Sequence, residues 1–115
     1  MKWFGEVILQ RMFFKRKRFL VLMDPPCSVQ IFSTESQFQN GRCPNVSYSL
    51  IGAIASFIVK DEDLWVVNLQ VGIKRLQIWS KYEDDLNNIV VFVNRVASQY
   101  SIKQTLEVQE INDII

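Results

Sequence analysis

Lys15-Arg16-Lys17-Arg18 is the densest set of like charges in the chain. Guanidinium forks match pairs of phosphate or carboxylate oxygens, and ammonium groups act as compact point charges, so this run has the chemistry of an anion site. Arg11 precedes it, with Phe13 and Phe14 between. The aromatic pair either enters an interface or packs inward. Lys74-Arg75 is a second, smaller basic step. On a strand these two side chains point to opposite faces, and one of them, taken as Lys74, joins the patch.

Other chemistries lack their groups. The chain has no histidine, which removes Cys–His nucleophile pairs and histidine-based metal sites. Cys27 and Cys43 have no close-spaced partners and read as small buried residues. Asp61-Glu62-Asp63 and Glu83-Asp84-Asp85 lack the glycine and ligand spacing of a calcium loop. They read as a hairpin tip and a helix N-terminus. There is no glycine-rich phosphate loop and no nucleophile elbow. The expectation is a non-enzymatic protein without cofactor or metal.

The charge is unevenly placed. The 115 residues carry a net charge of +1, yet residues 1–18 hold six cations against Glu6 alone, while the remainder is net acidic. Such a molecule orients toward an anionic surface. A nucleic-acid partner fits poorly, because its binders carry a wider basic footprint. Glu6 and Gln10 interrupt the N-terminal apolar stretch, so no secretion signal is expected. The longest apolar run, Leu50 to Val59, is too short to span a bilayer. The expected location is cytoplasmic, peripheral at membranes, with both thiols reduced.

The elements that must position the cations follow from periodicity. Strand-like runs lie at Trp3–Met12, Phe19–Met23, Cys27–Ser33, Val46–Ala53, Ala55–Val59, Leu64–Leu69 and Lys74–Trp79. Asp24-Pro25-Pro26 stops the second, and residues 34–45 read as the longest loop. A helix follows from Ser80 to about Tyr100, with Ser80 and Glu83 as a capping box and Arg95 near its far end. Leu86, Ile89, Val90, Val93, Val96, Ala97 and Tyr100 fall on one face. Residues 102–115 are a separate tail, a helix extension, a strand or a docking segment.

About seven strands followed by one helix, in one domain of about 101 residues, resembles the pleckstrin homology superfamily. Lys15-Arg16-Lys17-Arg18-Phe19-Leu20-Val21-Leu22 is similar to the basic opening of that family's second strand. Leu76-Gln77-Ile78-Trp79-Ser80, Glu83 and Leu86-Asn87-Asn88-Ile89-Val90-Val91-Phe92-Val93 are similar to its last strand and helix. The resemblance implies a mainly β fold, a bent seven-strand barrel capped by the C-terminal helix. It also implies a module that targets or scaffolds its protein at anionic, phosphoinositide-containing membranes. The lipid-facing residues would be Arg11, Lys15, Arg16, Lys17, Arg18 and Lys74, at the turn between the first two strands. The alternative it implies is a protein-interaction module that uses a strand edge and the helix, with a protein partner, a larger parent protein or a second copy.

Overall fold

In the computed structural model the sequence forms eight strands and two helices. The structure describes residues 1–11 and 13–114, with positions 11, 98 and 100–114 described by backbone alone. The strands are β1 (Trp3–Arg11), β2 (Phe14–Met23), β3 (Ser28–Phe32), β4 (Val46–Ser49), β5 (Ile54–Ala55), β6 (Val59–Asp61), β7 (Leu64–Val71) and β8 (Lys74–Ser80). Helix α1 is Glu35–Gln39 and helix α2 is Glu83–Ile114. All strand pairs are antiparallel, in the order β4-β3-β2-β1-β8-β7-β5, with β6 also on β7. The expected run of seven strands is present, with its fifth member divided into β5 and β6. The run read as Val46–Ala53 ends at Ser49, because 51–52 turn and Gly52 takes φ +77 there.

The sheet curls around one core and is covered by α2. Inward residues alternate along each strand: Val7 on β1, Leu20 and Leu22 on β2, Val29 and Ile31 on β3, Val67 and Leu69 on β7, Leu76 and Ile78 on β8. Leu86, Ile89, Val93 and Val96 close this core from the helix at the expected spacing. Val90 and Phe92 pack on it half-buried. The side chain of Tyr100 lies outside the described residues. So do the side chains of 102–115, whose backbone continues α2 as far as Ile114.

A second, smaller core lies on the outer face, where Phe19, Val21 and Phe32 are buried under Phe38 of α1. The Phe19 and Phe38 rings stack with centroids 5.4 Å apart. This is why Phe19-Leu20-Val21-Leu22 is apolar without alternation: β2 is buried on both sides. Helix α1 occupies part of what the sequence presents as a loop. Its cap is Thr34, whose hydroxyl accepts from the Gln37 amide, while the Gln37 side-chain oxygen accepts from the Ser33 amide.

Three local expectations are corrected. Ser80 ends β8, and its hydroxyl accepts from the Tyr82 amide at 3.0 Å, a tight turn one residue short of a capping box. Arg95 sits mid-helix because α2 continues well past it. Cys27 is buried as expected, but Cys43 is exposed in the segment after α1.

Candidate anion-binding mouth

The β1–β2 pairing runs without a break to Arg11 opposite Phe14, with Phe13 in the turn. The four cations therefore lie in the body of β2, not at the turn where the sequence placed them. A strand presents alternate residues to opposite faces. Arg18 lies opposite Val7 and Arg16 opposite Leu9, both inward positions. Lys17 lies opposite Ile8 and Lys15 opposite Gln10, on the outer face. The run is thus divided, two arginines in and two lysines out.

The second hairpin completes the inner set. β7 and β8 pair as far as Val71 opposite Lys74, around a two-residue turn in which Gly72 takes φ +60. Lys74 shares its face with Leu76 and Ile78. β1 and β8 are antiparallel, with Gln10 opposite Gln77, so the β1–β2 and β7–β8 turns emerge at the same end of the sheet. At that end an open cavity of about 410 Å³ is lined by Arg16, Arg18, Lys74 and Arg75, with Tyr48, Asn45 and Phe14 beside them. Leu9, Ile31, Val46 and Leu76 form its apolar floor.

The cations of this mouth are free of carboxylates: among the described residues none of the four has an acidic partner. Arg18 donates to the Lys17 carbonyl at 2.8 Å. Strand direction explains the separation. β2 runs away from the mouth to Asp24, β8 runs away to Glu83-Asp84-Asp85, and β7 comes from Asp61-Glu62-Asp63 at the far end. Asp24, Asp61-Glu62-Asp63 and Glu83-Asp84-Asp85 thus lie at the end of the strands away from the mouth, where Lys2, Lys60 and Lys81 also lie.

Of the residues singled out from sequence, Arg16, Arg18 and Lys74 meet in the mouth. Lys15 and Lys17 are at the same end on the outer face, and the side chain of Arg11 lies outside the described residues. Sequence reasoning left out Arg75, Tyr48 and Asn45. Arg75 has outward parity, but its long side chain reaches both the mouth and the neighbouring outer depression. Tyr48 and Asn45 reach the mouth through β3–β4 pairing, with Tyr48 opposite Val29, a long-range relationship that local pattern does not carry. The outer depression is larger, about 570 Å³, but half of its lining residues are amides, Gln10, Asn68, Gln70 and Gln77, and among the described residues Arg75 is its one cation. The mouth therefore fits an anion better.

Among the described residues, no group of acids and cysteines is placed to hold a metal ion, and no helix is long and apolar enough to cross a membrane.

No family model matches the sequence, and no curated protein gives a significant match. Solved structures do. The solution structure of the pleckstrin homology domain of human oxysterol-binding protein-related protein 11 is 16% identical with a TM-score of 0.67, over 84% of this chain and 80% of that one. The C-terminal pleckstrin homology domain of pleckstrin, crystallised in complex with D-myo-Ins(1,2,3,4,5)P5, is 11% identical with a TM-score of 0.62, over 83% and 96%. A second crystal structure of that pleckstrin domain gives 13% and 0.62, over 83% and 95%. The likeness is one of fold: the chain has the pleckstrin homology fold, mainly β, with one C-terminal helix on a curled antiparallel sheet.

Proposed function

We propose that this domain is a binding module that recruits its protein to anionic, phosphoinositide-containing membranes by holding the phosphorylated headgroup in the mouth between the β1–β2 and β7–β8 hairpins. The observation that carries this reading is the convergence of Arg16, Arg18, Lys74 and Arg75 on one open cavity without an acidic partner among the described residues. Two arginine forks on successive inward positions suit phosphate oxygens, and Lys74 adds a point charge. Arg11, Lys15 and Lys17 add to the potential of the same end, each cation near an anionic surface contributing about 1 kcal/mol. The complex of the pleckstrin domain with an inositol polyphosphate supports the chemical class, since that protein shares this fold. The location that follows is cytoplasmic and peripheral.

The experiment is calorimetric titration with a soluble inositol polyphosphate, alongside co-sedimentation with phosphatidylcholine vesicles with and without a phosphoinositide. Binding to the charged ligands that fades with added salt is the expected result. Absence of both at low salt overturns the reading.

A second reading is supported by a different surface. The sheet has β4 at one edge and β5 with β6 at the other; β6 carries Lys60 and Asp61, whereas β4 and β5 fall within residues 43–59, a stretch of seventeen residues without a charge. Ile51, Ile54, Phe57 and Val59 are exposed there. Edge strands are normally guarded by charge, so the uncharged β4 edge suits an added strand from a protein partner. Such binding would persist in high salt, which separates it from the first reading.

A further inference from the structure

The mouth has a second half that a phosphorylated headgroup does not use. Its floor is aliphatic, built from Leu9 of β1, Ile31 of β3, Val46 of β4 and Leu76 of β8. Leu9 and Val46 are only half-buried, although both pack against the main core. They therefore show apolar surface at the opening. Ile31 lies opposite Val46, so these two form one surface beside the β4 edge. Phe14 and the Tyr48 ring add aromatic surface to the walls.

A phosphorylated inositol is polar on every edge and leaves such a floor facing water. Small-molecule sites are mainly apolar, with a few polar groups that fix orientation, and about 410 Å³ lies within their usual size. Cations without apolar surface would suit a headgroup alone. Apolar surface without cations would suit a neutral hydrocarbon. Here both line one opening, and among the described residues no carboxylate pairs with the arginines. The ligand that uses both halves has a hydrocarbon body and one acidic end.

We propose that the mouth also takes a single-chain anionic lipid, with its tail against Leu9, Ile31, Val46 and Leu76 and its acidic head on the forks of Arg16 and Arg18. The proposal rests on the reading of the mouth as an anion site and adds a second ligand class to it. Both ligands need the same arginines, so they exclude each other. A free lipid in the mouth displaces the headgroup and opposes recruitment to the membrane.

The test is calorimetric titration of the native chain with octanoate, decanoate and dodecanoate, each below its aggregation concentration, and with soluble inositol hexakisphosphate. Full burial of one methylene is worth roughly fourfold in affinity, so each added pair in this open floor should tighten binding about fivefold. Dodecanoate should displace the hexakisphosphate. Arg16→Ala should weaken dodecanoate about fivefold, and Val46→Thr, close in shape to the native residue, about threefold, with circular dichroism unchanged. Dodecanoyl lysophosphatidate, with the same tail and a phosphate head, separates the two sources: tighter binding names a phospholipid, weaker binding a fatty acid. Affinity that does not rise with tail length, dodecanoate that fails to displace the hexakisphosphate, or dodecanoate binding unaffected by Arg16→Ala overturns the proposal and leaves the headgroup reading standing. Arginine-dependent dodecanoate binding without hexakisphosphate binding does the opposite. Failure of the native chain with every probe overturns both.

Discussion

The ammonium of Lys15 stands 3.8 Å from the centroid of the Trp79 ring, on the face of the sheet opposite Arg16. Two neighbours in sequence with the same charge therefore do different work. Lys15 covers an indole that is only 7% exposed, while Arg16 lines the mouth. Its stem shields the ring and its charge meets the ring face.

Lys15→Ala removes that cover. Stability should fall by about 0.5–1 kcal/mol, the range of an exposed cation–π contact, with a red shift of tryptophan emission. Urea denaturation followed by fluorescence measures both. Affinity for a soluble inositol polyphosphate should stay within about twofold.

Arg16→Ala and Arg18→Ala should do the reverse. Each lowers affinity for the same ligand about fivefold, from roughly 1 kcal/mol per cation, with little change in stability. Arg16→Lys should recover only part, because an ammonium cannot make the paired contact of a guanidinium. Calorimetry at two salt concentrations checks this, the variants showing a shallower salt dependence.

Gly5→Ala tests packing behind the site. A Cβ at this position would meet Cη2 and Cζ2 of Trp3 at 2.8 Å. Trp3 packs against the main core, so the indole must leave its place. A loss of about 1–3 kcal/mol is expected, as for an overpacked core. Adding Trp3→Leu should make the glycine change nearly neutral in the double-mutant comparison.

Glu62→Gly should stabilise the fold. Glu62 holds φ +56 in the turn between β6 and β7, a left-handed conformation that costs a side-chain-bearing residue about 1–2 kcal/mol. After the extra chain entropy of glycine is offset, a gain of about 0.5–1 kcal/mol remains. Glu62→Ala keeps the strained backbone and should show no such gain in thermal unfolding.

Asp85 gives a pH dependence of defined sign. Burial, reinforced by the charge of Asp84, raises its carboxyl above the ordinary 3.8. The folded state then holds the proton more tightly than the unfolded chain. Stability from this group is present below 3.8, falls as pH rises from there through the raised value, and stays reduced at neutral pH. Asp85→Asn should be at least as stable as the native chain at neutral pH, with the difference narrowing in acid. A difference that widens on acidification contradicts the assignment.

The strand run, the buried face of α2 and the cationic run were legible because each is a local pattern: alternation, helical spacing, consecutive charge. The division of that run was also present in principle, since strand parity separates Arg16 and Arg18 from Lys15 and Lys17 once β2 is extended back to Phe14. The abrupt change from charged to apolar residues at Phe19 concealed that start. The expected capping box at Ser80 and Glu83 did not form, whereas an unexpected cap formed at Thr34, inside a stretch that reads as loop. What no window could supply was pairing across distance. Tyr48 and Arg75 reach the mouth only because β3 meets β4 and β1 meets β8.

The double burial of β2 gives the molecule a discrete evolutionary option. Phe19 and Val21 face one core and Leu20 and Leu22 the other, so both sides of this strand are greasy. One residue added to the β1–β2 turn would exchange the sides while keeping apolar groups against apolar groups. The same slip would send Lys15 and Lys17 inward and Arg16 and Arg18 outward. A single insertion, at the cost of repacking, would convert a mouth of guanidinium forks into one of ammonium points and so change which anions it prefers.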